Sequence, residues 1–182
     1  MINAEKSQSS GSKALAFWPT LIVVFLLDFA TKRWAESHLL PVYTPHEVFG
    51  NVVRFTLAFN KDAAMGLSLG GYSRVGFAVV AVVVLVVLGV FYRRTPGFAT
   101  GAAAALGLVA AGALGNLMDR VLFERGVVDF IDVGLGSARF YTFNVADASI
   151  TCGAILLAFL SMKSAKPTEA PAITPTIAQS QE

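Results

Sequence analysis

Four long apolar runs divide the chain, and the segments between them alternate in polarity instead of repeating with a helical period. The first run, 15–35, carries Asp28, Lys32 and Arg33 near its end. No A-x-A cleavage site follows those charges, so the run reads as a retained span; a signal peptide is the alternative. Residues 75–91 are 17 uncharged positions, near the lower length for a helix that crosses a bilayer. Arg93-Arg94-Thr95-Pro96 follows, and so short a link turns the third run, 98–118, back antiparallel. The fourth run covers 145–162. Four helical spans are predicted, with polar segments at 1–13 and 163–182 expected as mobile tails around a membrane domain at 14–162.

In 51–59, Val53, Phe55, Leu57 and Phe59 alternate with Arg54, Thr56 and Ala58, the pattern of a half-buried strand. Residues 127–133 and 139–143 are also strand-like and are separated by Gly134-Leu135-Gly136-Ser137. If that turn closes a hairpin, Val133 faces Ala138 and Asp129 faces Thr142. Asp132 then points to the other strand face from Asp129. The fold class expected is a mainly α membrane protein: a four-helix bundle with a small β-sheet on one face.

Composition agrees with the spans. Of 182 residues 55% are hydrophobic and 14% charged, and the mean hydropathy is +0.64, which excludes a soluble globule and a disordered chain. A net charge of +2 is too small to suggest nucleic acid. One cysteine, Cys152, excludes a disulfide framework, and two histidines, His38 and His46, leave little for a His-based metal site. The third span is rich in small residues, with Gly97/Gly101 and Ala111/Gly115 at the spacing that lets helices approach closely. Four spans put both tails on one side. Six Lys and Arg lie in the tails and the Arg93-Arg94 loop, eight on the other face, but the six hug the helix ends and favour a cytoplasmic assignment for the tails.

Charges within or beside membrane spans are costly and are functional candidates. Asp28 and Lys32 are four apart and share a helix face. Gly112, Asn116 and Arg120 form a polar-edged face at the end of the third span, next to Asp119. Asp147 stands in the first turn of the fourth span with Asn144 three positions earlier. Each also has a structural reading: an orienting ion pair, a solvated helix end and a helix cap. The hairpin count brings Asp129 towards Asp147, and two close carboxylates share a proton, the arrangement by which aspartic proteases activate water. Serine or cysteine hydrolysis is not expected. An ion-coupled transporter would also use intramembrane Asp and Lys, but nearer the bilayer midplane. A non-catalytic assembly factor would explain the small-residue face and leave the aspartates unexplained.

Five blocks carry a more specific resemblance: Asp28-Phe29-Ala30-Thr31-Lys32; Asn60 with Ala63-Ala64; Gly115-Asn116-Leu117-Met118-Asp119-Arg120; Val128-Asp129-Phe130; and Phe143-Asn144-Val145-Ala146-Asp147. In this order and spacing, across residues 14–162, the chain resembles the bacterial lipoprotein signal peptidases (signal peptidase II). The resemblance implies an aspartic endopeptidase of the inner membrane. It would cut prolipoproteins on the amino side of a diacylglyceryl-modified cysteine, with Asp129 and Asp147 as the dyad. Asp28, Lys32, Asn60, Asn116, Arg120 and Asn144 match supporting positions. It further implies a four-helix bundle with an extracytoplasmic sheet, cytoplasmic termini, an active site at the periplasmic face, and no metal or cofactor. Membrane lipid and lipid-modified prolipoproteins are the expected partners, nucleic acid is not, and a monomer is expected. Asp62 and Met65 depart from the family's usual glycine and aromatic residue, which bears on the loop's backbone shape.

Overall fold

The computed structural model describes the backbone of residues 2–62 and 70–164, and side chains within 12–62 and 70–163. Four helices are present: α1 (Ile2–His38), α2 (Ser73–Arg94), α3 (Thr100–Leu122) and α4 (Val145–Ser164). Each includes a stretch long and apolar enough to cross a bilayer. The span within α1 is Ser12–His38, and helical backbone continues from it to Ile2 through a proline-free segment, over most of what was expected as a tail. Most of the expected C-terminal tail lies outside the described residues, as do Ala63, Ala64 and Met65.

α3 is the central helix. About three-fifths of its most apolar window is buried, against 17% or less for the other three. Its small residues make this possible, because lipid tails give helices no hydrophobic reason to associate and close backbone packing must supply it. A methyl group at Gly107 would come within 2.8 Å of the Phe17 carbonyl of α1. At Gly112 it would run into the Ala146 carbonyl and lie 2.6 Å from Ser149 Oγ of α4. At Gly115 it would strike the Asp28 carboxylate. The stripe that matters is Gly107, Gly112 and Gly115; Gly101 makes only ordinary contact with Leu160. Trp18 and Trp34 are both well exposed on α1, as interfacial anchors should be.

The sheet has four antiparallel strands in the order β1 (Pro45–Phe49), β2 (Val53–Asn60), β3 (Val127–Leu135) and β4 (Ala138–Arg139). β1 was not anticipated, since Pro45 and His46 break the alternation expected of a strand. β4 is shorter than its sequence pattern suggests, with Phe143 rejoining the ladder only through a single bridge to Ile131. The hairpin register also differs from the count made on the sequence. A two-residue turn, with Gly136 at φ +56°, closes on the pair Leu135/Ala138, so the strands are offset from the predicted Val133/Ala138 pairing. Between Phe55 and Ala58, β2 bulges, and the shift brings Ala58 opposite Asp129. Ala35 of α1 and Leu39 just beyond its end pack with Leu57, Val128 and Phe130, which seats the sheet on the end of the bundle.

Asp132 does lie apart from Asp129. It accepts hydrogen bonds from Arg139 Nε (2.8 Å), Arg54 Nε (2.9 Å) and Thr56 Oγ1 (3.2 Å). Burial opposes its charge, but these donors outweigh burial and hold the carboxyl below its ordinary value. Its role is to tie β2, β3 and β4 together.

Candidate active site

Asp28 and Lys32 form the root of the site. Both are fully buried in the bundle, where Lys32 Nζ lies 2.8 Å from Asp28 Oδ2, 3.0 Å from Asp119 Oδ2 and 2.9 Å from Asn116 Oδ1. An ammonium has three protons, and this one has three oxygen partners. Each anion has a second anchor. Asp28 Oδ1 accepts from the Ala146 N–H at the start of α4 (2.8 Å). Asp119 Oδ2 accepts from the Val128 N–H of β3 (3.3 Å), and its Oδ1 pairs with Arg33 at 3.1 Å. The charges therefore join α1, α3, α4 and β3, a tie that a bilayer interior strengthens by excluding competing water.

From Lys32 the hydrogen bonds run outward to the two aspartates. With its Oδ1 held by Lys32, Asn116 directs Nδ2 to Asp147 Oδ1 at 2.8 Å. Asn144, fully buried, donates through Nδ2 to Asp129 Oδ1 (2.7 Å), with Asn116 Oδ1 and the Val128 carbonyl each at 3.2 Å. Asn60 Nδ2 donates to the other oxygen of Asp129 at 3.1 Å. At the head of α4, Asn144 Oδ1 accepts from the Asp147 N–H (2.9 Å) and Asp147 Oδ2 accepts from the Asn144 N–H (3.3 Å). That is a reciprocal capping box. The cap reading of Asp147 is thus realised, and the same side chain also faces an open cavity.

The cavity has a volume of about 1290 Å³ and is lined by Asp129, Asp147, Asn60, Asn116 and Arg120, with Tyr43, Phe140 and Tyr141 among its apolar walls. Asp129 is nearly fully buried, Asp147 half-buried. Burial and the negative charge of Asp147 push the Asp129 carboxyl up to about 7, against the pull of its hydrogen bonds from Asn60 and Asn144. A carboxyl poised near neutrality next to a second carboxylate can hold a proton while its neighbour stays ionised. Arg120 donates to the Asn116 carbonyl and the Asp62 carbonyl, both at 3.2 Å, and so ties Asp62, just after β2, to α3 at the cavity wall. Asp62 adopts a turn in which its N–H meets Asn60 Oδ1 at 3.0 Å.

All eight residues singled out from the sequence lie in this one connected network or line its cavity. Asp119 was noticed at the end of α3 but not ranked with them. Its position three residues from Asn116, inside a quoted block, was the available signal. Arg125 at the cavity rim, stacked 3.9 Å from the Phe123 ring and paired with Glu36, was not anticipated at all. Among the described residues no group of three or more His, Cys, Asp and Glu side chains is placed to hold a metal ion.

Comparison with known proteins finds relatives in both sequence and fold. The chain is 45% identical over 156 residues to the lipoprotein signal peptidase of Ectopseudomonas mendocina (strain ymp), covering 82% of this chain and 91% of that protein. It is 39% identical over 172 residues to the lipoprotein signal peptidase of Pseudomonas syringae pv. tomato (strain DC3000), covering 93% and 98%. A bacterial membrane enzyme solved by the in meso method at 2.3 Å resolution superposes with a TM-score of 0.72 at 30% identity, covering 87% of this chain and 94% of that one. The family model for signal peptidase (SPase) II matches residues 20–163, and with four membrane helices carrying one network of buried carboxylates, the chain belongs to the signal peptidase II family.

Proposed function

We propose that this bacterial multi-pass membrane protein removes signal peptides from prolipoproteins as an aspartic endopeptidase, with Asp129 and Asp147 as its catalytic pair. The observation that carries the reading is the pair itself: two carboxylates in one cavity, linked through Asn144, with Asp129 pushed up to about 7. With one proton between them, the ionised carboxylate takes a proton from water while the other donates to the scissile carbonyl oxygen. The hydroxyl adds to the carbonyl carbon, and the tetrahedral intermediate then collapses, the peptide nitrogen leaving as an amine with a proton returned from the pair. Asn60, Asn144 and Asn116 hold the carboxylate oxygens in place, and Lys32 holds Asn116. No metal is required in this scheme. The substrate is a prolipoprotein bearing diacylglyceryl cysteine, which reaches the cavity laterally with its acyl chains still in the bilayer. The protein acts as a monomer in the inner membrane. Its active site faces the periplasm and both termini the cytoplasm, in keeping with the charges at the helix ends.

Mass spectrometry of a purified lipid-modified prolipoprotein incubated with the protein tests the reading. Cleavage on the amino side of the modified cysteine by the wild type is expected, with none by Asp129→Asn or Asp147→Asn. Turnover by either variant refutes the pair.

A further inference from the structure

The sheet side of the catalytic cavity carries cations that the proposed chemistry leaves unused. Lys61 directly follows β2, lines the cavity and is exposed, and it makes no hydrogen bond or ion pair among the described residues. Arg125 lines the cavity beside it. The two are held together by the backbone. Gly126, at φ +87°, passes so close to the end of β2 that a methyl group there would lie 2.9 Å from the Lys61 Cα. The Arg125 side chain is anchored by its ion pair with Glu36 and by the Phe59 ring, whose centre is 5.5 Å from the guanidinium carbon. Among the described residues lining the cavity, Lys61, Arg120 and Arg125 stand against one acid outside the catalytic pair, Asp62. A lysine with a fixed cation beside it gains from an anion arriving through the cavity, which offsets that repulsion.

We propose that Lys61 is a specificity-determining residue that binds an acidic side chain on the mature side of the scissile bond. The assignment rests on the peptidase reading above and adds which substrates that site prefers. The cavity walls give the direction of the chain. One wall is Ala148, Ile150 and Cys152 of α4, within a membrane span, and the apolar core of a signal peptide belongs on that side. The sheet sits on the end of the bundle, so the polar chain after the cut leaves along it. Strand register gives the distance. Ala58 of β2 is opposite Asp129, and Lys61 lies three positions further on, about 10 Å at roughly 3.3 Å per strand residue. An extended substrate with its scissile bond at Asp129 covers that distance in three residues, and the long lysine stem reaches back over part of it. The ammonium therefore meets the second and third residues after the cut, next to the modified cysteine. At an exposed edge this contact tunes kcat/KM and takes no part in the bond-breaking step.

The test is a charge swap read as a ratio. Three lipid-modified substrates differ only at the second and third mature residues, which are both aspartate, both serine or both lysine. Wild type, Lys61→Gln and Lys61→Glu cleave them in the same uncharged micelles. Each protein's kcat/KM is divided by its own value on the serine substrate, so a general loss of activity in a variant cancels. Wild type should favour aspartate over serine about two- to fivefold and disfavour lysine by a similar factor, the scale of an exposed ion pair. Lys61→Gln should flatten that order and Lys61→Glu should reverse it, and about 1 M salt should remove it from wild type. Lys61→Gln carries the test alone if the charge reversal unfolds the protein. No preference in wild type, or an order unchanged in the variants, overturns the proposal. So does a uniform rise on all three substrates when an anionic phospholipid is added, without discrimination among them, since the cation then serves lipid headgroups. A wild-type protein that cleaves none of the three refutes the peptidase reading instead, so the two failures are distinguishable.

Discussion

Replacing Asp129 by asparagine should abolish cleavage and, above neutral pH, make the fold more stable. The carboxyl sits nearly fully buried, and burial together with the charge of Asp147 moves it from 3.8 to about 7. Between those values the folded chain keeps a proton on Asp129 that the unfolded chain has lost. Stability therefore falls as pH rises through this window and levels off above about 7. Each unit is worth about 1.4 kcal/mol, so from pH 5 to pH 7 the wild type gives up about 3 kcal/mol through this one group. Asparagine does not titrate and escapes that loss. It has its own, pH-independent cost, because its amide nitrogen must face a donor, Asn60 Nδ2 or Asn144 Nδ2, where Asp129 offered two acceptors. One mismatched donor costs about 1–3 kcal/mol. At pH 5 the two effects nearly cancel or favour the wild type, whereas at pH 8 the variant gains. The assay is denaturant unfolding of both proteins in the same micelles at pH 5, 6, 7 and 8. The variant's stability relative to wild type should climb by about 3 kcal/mol across the series and be flat above pH 7. A difference that stays constant from pH 5 to 8, or that declines, refutes the claim that Asp129 carries a raised, environment-set proton affinity.

Further outcomes follow from the packing and charge network. Gly115→Ala drives a methyl group into the Asp28 carboxylate and should cost about 1–3 kcal/mol in unfolding measurements, with activity falling because Asp28 holds the head of α4. Lys32→Met leaves the buried Asp28 without a cation and Asp119 with Arg33 alone, and should destabilise by about 3–5 kcal/mol, far more than removal of an exposed pair. Dialysis against a strong chelator should leave the cleavage rate unchanged, and a loss restored by zinc would contradict the proposed mechanism. A reporter fused after Lys163 should behave as cytoplasmic, and a periplasmic signal would reverse the proposed orientation.

The sequence by itself determined the spans, the class of fold and the identity of the polar residues. Span length and hydropathy are local properties, set by bilayer thickness, so 75–91 is legible as a helix wherever it packs. Charges in apolar runs are legible for a similar reason: they are too costly to be accidental, which singled out Asp28, Lys32 and Asp147. The strand register was not legible. Turn closure at Leu135/Ala138 and the β2 bulge depend on where Gly136 adopts positive φ and on how β2 lies against β3. The centrality of α3 and the particular glycines that matter also needed the packed bundle, because Gly107, Gly112 and Gly115 matter through carbonyls and carboxylates of α1 and α4. Tertiary structure alone decided the wiring. Asp28 reaches the Ala146 N–H across 118 residues, and Lys32 reaches Asn116 across 84. Such contacts follow from three-dimensional convergence, which no local periodicity encodes. The same convergence gives Asn144 its two tasks, capping α4 and bridging the aspartates, and removes Asp129 from water so that its proton affinity rises.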